Sequence, residues 1–157
     1  ATERTDVWLL YDDKNVYVLV RCHDTQATTI DRRVSRRDEI DGDYLAVYID
    51  SYFDKRTAFG FKVNAAGVKA DVTLSGDSNN QDSTWDALWA ARAAVDAKGW
   101  TAEMAIPFSQ LRFASGFGFV RALVCQRHVH ERGQPDAAAG GLALPADVTE
   151  ARDPAGV

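Results

Sequence analysis

The stretch Phe59-Gly60-Phe61-Lys62-Val63-Asn64 sets an ammonium and a carboxamide two residues apart. On a strand that spacing carries both side chains to one face, so Lys62 and Asn64 can meet the same ligand. Together they offer charged and neutral donors plus one amide acceptor, an assortment that suits a polar ligand. A flat aromatic ring beside them would add a stacking surface. Trp85, at the end of the polar run Ser75–Asp86, is the first choice for that ring, with closure of the open end of a core an equal reading of it. Tyr44 and Tyr48 lie on one parity of a neighbouring run and are the next, although a half-buried cross-strand pair is as good a reading of them. Trp8 has the parity of an exposed residue, whereas Trp89 is expected to close the end of a core and Trp100 to lie inside it.

Other chemistry has weaker support. The loop Asp77-Ser78-Asn79-Asn80-Gln81-Asp82, followed by Asp86, is rich in oxygen ligands. Ca²⁺ takes about six to eight oxygens, so Asp77, Asp82 and Asp86 are candidate calcium ligands, with a solvated turn as the plainer reading. No other cofactor is expected. Ser109 lacks a nucleophile elbow, and Cys125 with His128 is two residues on a strand without a third partner. Met104 with His128 or His130 would suit haem only if the fold brought them together. The carboxylates fall in no recognisable catalytic pattern, so this stretch of protein is not expected to be an enzyme.

The elements that position these residues are strands. Leu45, Val47 and Ile49 alternate with Tyr44, Ala46 and Tyr48; Phe59, Phe61 and Val63 alternate with Gly60, Lys62 and Asn64. Val68, Ala70, Val72 and Leu74 alternate with Lys69, Asp71 and Thr73. Each run has one oily and one polar parity, which predicts an antiparallel meander packed on one side. Its polar face would then carry Tyr44, Tyr48, Lys62, Asn64 and Asp71. Asp6–Tyr11 and Asn15–His23, with the turn cluster Asp12-Asp13-Lys14-Asn15 between them, read as a hairpin. The Arg-rich run Asp24–Asp41 reads as a short helical or extended crossing segment. Leu88–Ala97, Trp100–Pro107 and Phe117–Val129 supply further strands, with a single helical turn after Pro107. About eight short strands and almost no helical period argue an all-β fold, an antiparallel β-sandwich of immunoglobulin-like or jelly-roll-like architecture. Residues 1–130 are assigned to it. The Ala-, Gly- and Pro-rich residues 131–157 are read as an irregular segment leading to a further region.

With 157 residues, 46% of them hydrophobic, the chain can build one domain with a sizeable core. The formal net charge of −5 argues against a nucleic-acid partner. No apolar run reaches the roughly 20 residues of a membrane helix, so membrane insertion by this domain is not expected. A start at Ala1, with Met104 as the only methionine, suggests a processed product or a fragment. Cys22 continues the buried parity of Val16, Val18 and Val20, so a buried free thiol is the first reading and a Cys22–Cys125 disulfide the second.

Three stretches resemble a known family. VWLLYDDKNVYVLVRCHD, DGDYLAVYIDSYFDKRTAFGFKVNAAGVKAD and WDALWAARAAVDAKGWTAEMAIPFSQLRF are similar to the opening hairpin, centre and late strands of the carbohydrate-binding module family 9-like domain. The subgroup it most resembles is the N-terminal domain of large bacterial envelope proteins that continue into a barrel-like region. The resemblance implies a β-sandwich in an extracytoplasmic place: periplasmic, outer-membrane-associated or secreted. It also implies binding of oligo- or polysaccharide without catalysis, linked to polysaccharide breakdown. The family's sugar-contacting basic residue and asparagine fall on Lys62 and Asn64, with lysine where arginine is usual. An acidic ligand residue falls on Ala46, and one clamp tryptophan falls near Asp38-Glu39, where this chain has none. The competing expectation is a structural domain that docks on its own downstream barrel and binds no sugar.

Overall fold

The computed structural model describes residues 3–52, 54, 56–76, 81–112 and 122–129, with only the backbone of 122–126. Among the described residues nine strands run β1 (Thr5–Tyr11), β2 (Asn15–His23), β3 (Tyr44–Asp50), β4 (Ala58–Asn64), β5 (Lys69–Leu74), β6 (Gln81–Asp82), β7 (Ala90–Asp96), β8 (Gly99–Pro107) and β9 (Ala122–His128). They form a four-stranded sheet in the order β1-β2-β8-β7 and a five-stranded sheet in the order β6-β5-β4-β3-β9. Every pairing is antiparallel. The expected all-β sandwich is the fold. The expected helical turn after Pro107 is a 3₁₀ turn, Phe108–Gln110, and a second one, Ala27–Thr29, opens the crossing segment. Among the described residues no helix is long and apolar enough to cross a membrane. Residues 130–157, including the segment read as irregular, lie outside the described residues.

The core forms because the inward parities of the two sheets face one another. Val16, Val18, Val20 and Cys22 of β2 and Trp100, Ala102, Met104 and Ile106 of β8 meet Leu45, Val47 and Ile49 of β3 and Phe59, Phe61 and Val63 of β4. Fully burying a large aliphatic or aromatic side chain stabilises by about 1.5–3 kcal/mol, so these central strands carry most of the fold's favourable burial. At one end Arg127 of β9 straps the sheets together. Its guanidinium donates to the His23 carbonyl at 2.6 Å and to Asp24 at 3.0 Å. The β7–β8 turn needs Gly99, which sits at φ 130°, and an added Cβ would run into the Cys22 carbonyl oxygen.

One strand is turned over relative to the expectation. In the β4–β5 register Phe61 stands opposite Asp71, and Phe59 opposite Thr73. Directly opposed residues share a face, so Asp71 points between the sheets. Ala70 and Val72 lie on the outer face, where Val72 packs with Ala46 and Tyr48, and partly buried Leu74 packs against them. Asp71 therefore does not join Lys62 and Asn64 on an outer polar face. An interior carboxylate is tolerable only when hydrogen-bonded, and Asp71 accepts from the Arg37 guanidinium (2.8 Å), the Ala87 amide (2.7 Å) and the Trp89 indole (3.0 Å).

Cys22 is a free, fully buried thiol, so the disulfide reading of it does not apply. Burial raises its pKa to about 11. Because the thiolate is the reactive form, Cys22 is expected to resist a thiol-alkylating reagent in native protein at pH 8 and to label fully in denaturant. Mass mapping of the labelled cysteine checks this; native labelling of Cys22 at the denatured rate would refute it.

Candidate carbohydrate-binding site

Lys62 lies mid-strand on β4, on the outer face of the five-stranded sheet, directly between Ala46 of β3 and Ala70 of β5. Neither neighbour offers a charge or a hydrogen bond. Among the described residues its ammonium has the Gln81 Oε1 as partner, at 3.0 Å, and no carboxylate. Lys62 is half-buried, and desolvation pushes its pKa down.

Tyr44 begins β3 on the same face and stands opposite His128 of β9. Their rings stack in parallel, 4.3 Å between centroids and 8° between planes. Burial lowers the His128 pKa, and the nearby Lys62 charge lowers it further, so the imidazole is neutral at pH 7. Tyr48 lies farther along and is almost fully covered. It stands opposite Gly60, where an added Cβ would come within 2.8 Å of the Tyr48 Cε1 and 2.7 Å of the Val72 Cγ2. Glycine at 60 thus makes the room that the Tyr48 ring occupies.

Asn64 shares the parity of Lys62, yet it is completely buried. The crossing segment that follows the first 3₁₀ turn lies over it. The Asn64 amide donates to the carbonyls of Arg33 (2.8 Å) and Asp41 (3.0 Å), and its oxygen accepts from the amides of Ala66 (3.0 Å) and Val68 (2.8 Å). A carboxamide has two N–H donors and two lone pairs, and all four are in use. In this conformation Asn64 shapes the rim of the site and has no group left for a ligand.

Trp85 lies on the other side of the sheet. Its ring packs on the inward-facing Phe59 (5.0 Å) and Phe61 (5.6 Å), closing the mouth of the sandwich. It is not brought together with Lys62. Trp89 is core, edge-on to Phe61 at 5.2 Å, with the Lys69 ammonium 5.1 Å from its ring centroid. Met104 is buried between the sheets while His128 is on an outer face, so these two do not form a ligand pair.

Of the calcium candidates, Asp86 is spent on Arg37 at 2.6 Å, and Asp82 accepts from the Thr84 amide and hydroxyl at 2.8 and 2.6 Å. Asp77 lies outside the described residues. Among the described residues no cluster of three or more His, Cys, Asp or Glu is placed to hold a metal.

Two participants went unassigned from sequence: Gln81, which holds the Lys62 ammonium, and His128, which stacks on Tyr44. Both depend on which strands become neighbours. The alternation within β9 could have put His128 on a face, but nothing in it names β3 as the partner.

The two-sheet sandwich agrees with what a comparison of families finds. The model of the family described as carbohydrate family 9 binding domain-like matches residues 2–129. The chain belongs to that family. Comparison with curated proteins and with solved structures finds no match. Membership supports carbohydrate binding as the general function of this family 9-like domain, and a non-catalytic role for it.

Proposed function

We propose that this family 9-like domain binds a saccharide chain reversibly on the outer face of its five-stranded sheet, beside Lys62. The observation that carries the reading is the placement of the Lys62 ammonium and the stacked Tyr44–His128 rings on one face, in a chain of a carbohydrate-binding family. The rings supply an apolar wall and Lys62 with Gln81 supplies polar contacts, an assortment suited to sugars. No bond is made or broken. Calorimetric titration with xylo-, cello- and uronic-acid oligosaccharides, with and without Ca²⁺, tests it. Binding of at least one is expected, weakened about 3- to 10-fold by Tyr44→Ala, which corresponds to a ring contact of about 0.5–1.5 kcal/mol. Absence of heat and of NMR shifts with the whole panel would overturn the reading.

In cells, we place the domain in an extracytoplasmic setting, within a larger envelope protein concerned with polysaccharide breakdown. A second reading, docking on a downstream region of its own protein, is favoured by the other sheet. There Trp8, 50% exposed, and Leu10, 70% exposed, stand opposite Leu19 and Tyr17 on the outer face of β1 and β2. A contiguous apolar patch of that kind marks an interaction surface. If Trp8→Ser with Leu10→Ser releases the domain from its downstream region while sugar titrations stay silent, the second reading prevails.

A further inference from the structure

We infer that the saccharide taken at Lys62 is an acidic one, carrying a carboxylate or sulfate that seats on the Lys62 ammonium. The inference rests on the saccharide reading above and narrows its ligand class. It stands on three observations. First, Lys62 is half-buried, and its partner among the described residues is the neutral Gln81 oxygen. Lysine is rarely withdrawn from water unless it is paired with a charge, and no described carboxylate pairs with it. Second, the positions in register with it are Ala46 and Ala70, and the next residue on its face is Asn64, whose amide is fully committed elsewhere. The nearby His128 is neutral at pH 7 and offers no negative charge. Third, the acids of the bordering crossing segment are engaged locally: Asp31 and Asp41 by Arg33 (each 3.1 Å) and Asp38 by Arg37 (3.6 Å). Asp24 is taken by Arg127 (3.0 Å), and Glu39 is exposed.

A neutral sugar would leave the Lys62 charge as it stands, desolvated further by the ligand. An anionic group converts the Lys62 contact into a charge-assisted pair, which is the stronger kind of hydrogen bond. The neighbouring Gln81 amide can then serve the same anion or a vicinal hydroxyl with its own N–H donors.

The test pairs oligogalacturonate and oligoglucuronate with the same oligomers after reduction of the carboxylate to an alcohol, and adds a sulfated oligosaccharide. Titrations are run at low and high salt on the whole chain and on Lys62→Met. The acid forms are expected to bind about 10- to 100-fold more tightly than their reduced counterparts, the range of one hydrogen bond to a charged group. The advantage is expected to shrink with salt and to vanish in Lys62→Met. Comparison of the uronate and sulfate arms assigns the anion. Lys62→Met is expected to melt higher than the parent, because it removes a desolvated cation that no described carboxylate neutralises; this also shows that lost binding is not lost folding. Equal or tighter binding of the reduced oligomers overturns the acidic inference and leaves the saccharide reading standing. Persistence of the acid preference in Lys62→Met overturns the role of Lys62. Silence in every arm overturns both readings.

Discussion

Asp71→Ala is expected to lower the stability of the domain by about 3–5 kcal/mol, the range for stripping one member from a buried ionic network. Asp71 has no exposed surface. Its two oxygens accept from Arg37, Ala87 and Trp89, which come from the crossing segment and from the stretch between β6 and β7. Removing the carboxylate strands a buried indole N–H and a buried amide, and leaves the Arg37 guanidinium with Asp86, Asp38 and the Ala87 carbonyl. Whole domains are stable by only about 5–15 kcal/mol, so a loss of this size removes a substantial share of the total. Urea titration followed by tryptophan fluorescence measures the shift in midpoint. Arg37→Ala is expected to cost less, because the carboxylate keeps two of its three donors. If Asp71→Ala unfolds within about 1 kcal/mol of the parent, the buried network is not holding the mouth of the sandwich together.

Asn64→Ala is the second large effect, about 3 kcal/mol, since one truncation removes the four hydrogen bonds that a fully buried amide makes to part-buried backbone groups, each worth about 0.5–1.5 kcal/mol net. Hydrogen exchange localises the loss: the amides of Ala66 and Val68, which the Asn64 oxygen holds, are expected to lose protection first. Asn64→Asp does not rescue, because a carboxylate has no N–H to give to the Arg33 and Asp41 carbonyls. Any loss of sugar binding in these variants would follow the loss of the rim, in contrast to Lys62→Met, which leaves the rim in place. An Asn64→Ala protein of parental stability would contradict the buried amide's role.

The contrast between β4 and β5 shows how far the sequence was legible. In β3 and β4 the inward residues are all large and apolar, so periodicity alone picks the buried face. In β5 the alternation was equally clear, but it separates the residues into two sets without saying which set faces in. A buried aspartate on the inner set reverses the natural choice, and its partners Trp89 and Arg37 lie 18 and 34 residues away in sequence. The candidate site divided in the same way. Lys62 and Tyr44 could be assigned to one face from their strands. The burial of Asn64 could not, because it depends on where a loop crosses, and Trp85 read equally as a ligand platform and as a cap on the open end, the role it has. The stacking of Tyr44 on His128 required the β3–β9 pairing, a contact between distant segments.

The crossing segment has one further consequence. Its backbone is tied down at Asp31, which accepts from the Asp43 amide at 3.1 Å, at Arg33 and Asp41 through the Asn64 amide, and at Asp38, whose amide donates to the Lys69 carbonyl at 3.0 Å. Fixing one residue's backbone costs about 1–2 kcal/mol of conformational entropy, and here folding has already met that cost. A ligand arriving beside Lys62 would find its rim ordered, as a key finds a lock. Association should then follow a single exponential at every ligand concentration, with no slow closing phase, and the affinity should lie in the fit of the ligand rather than in the ordering of the protein.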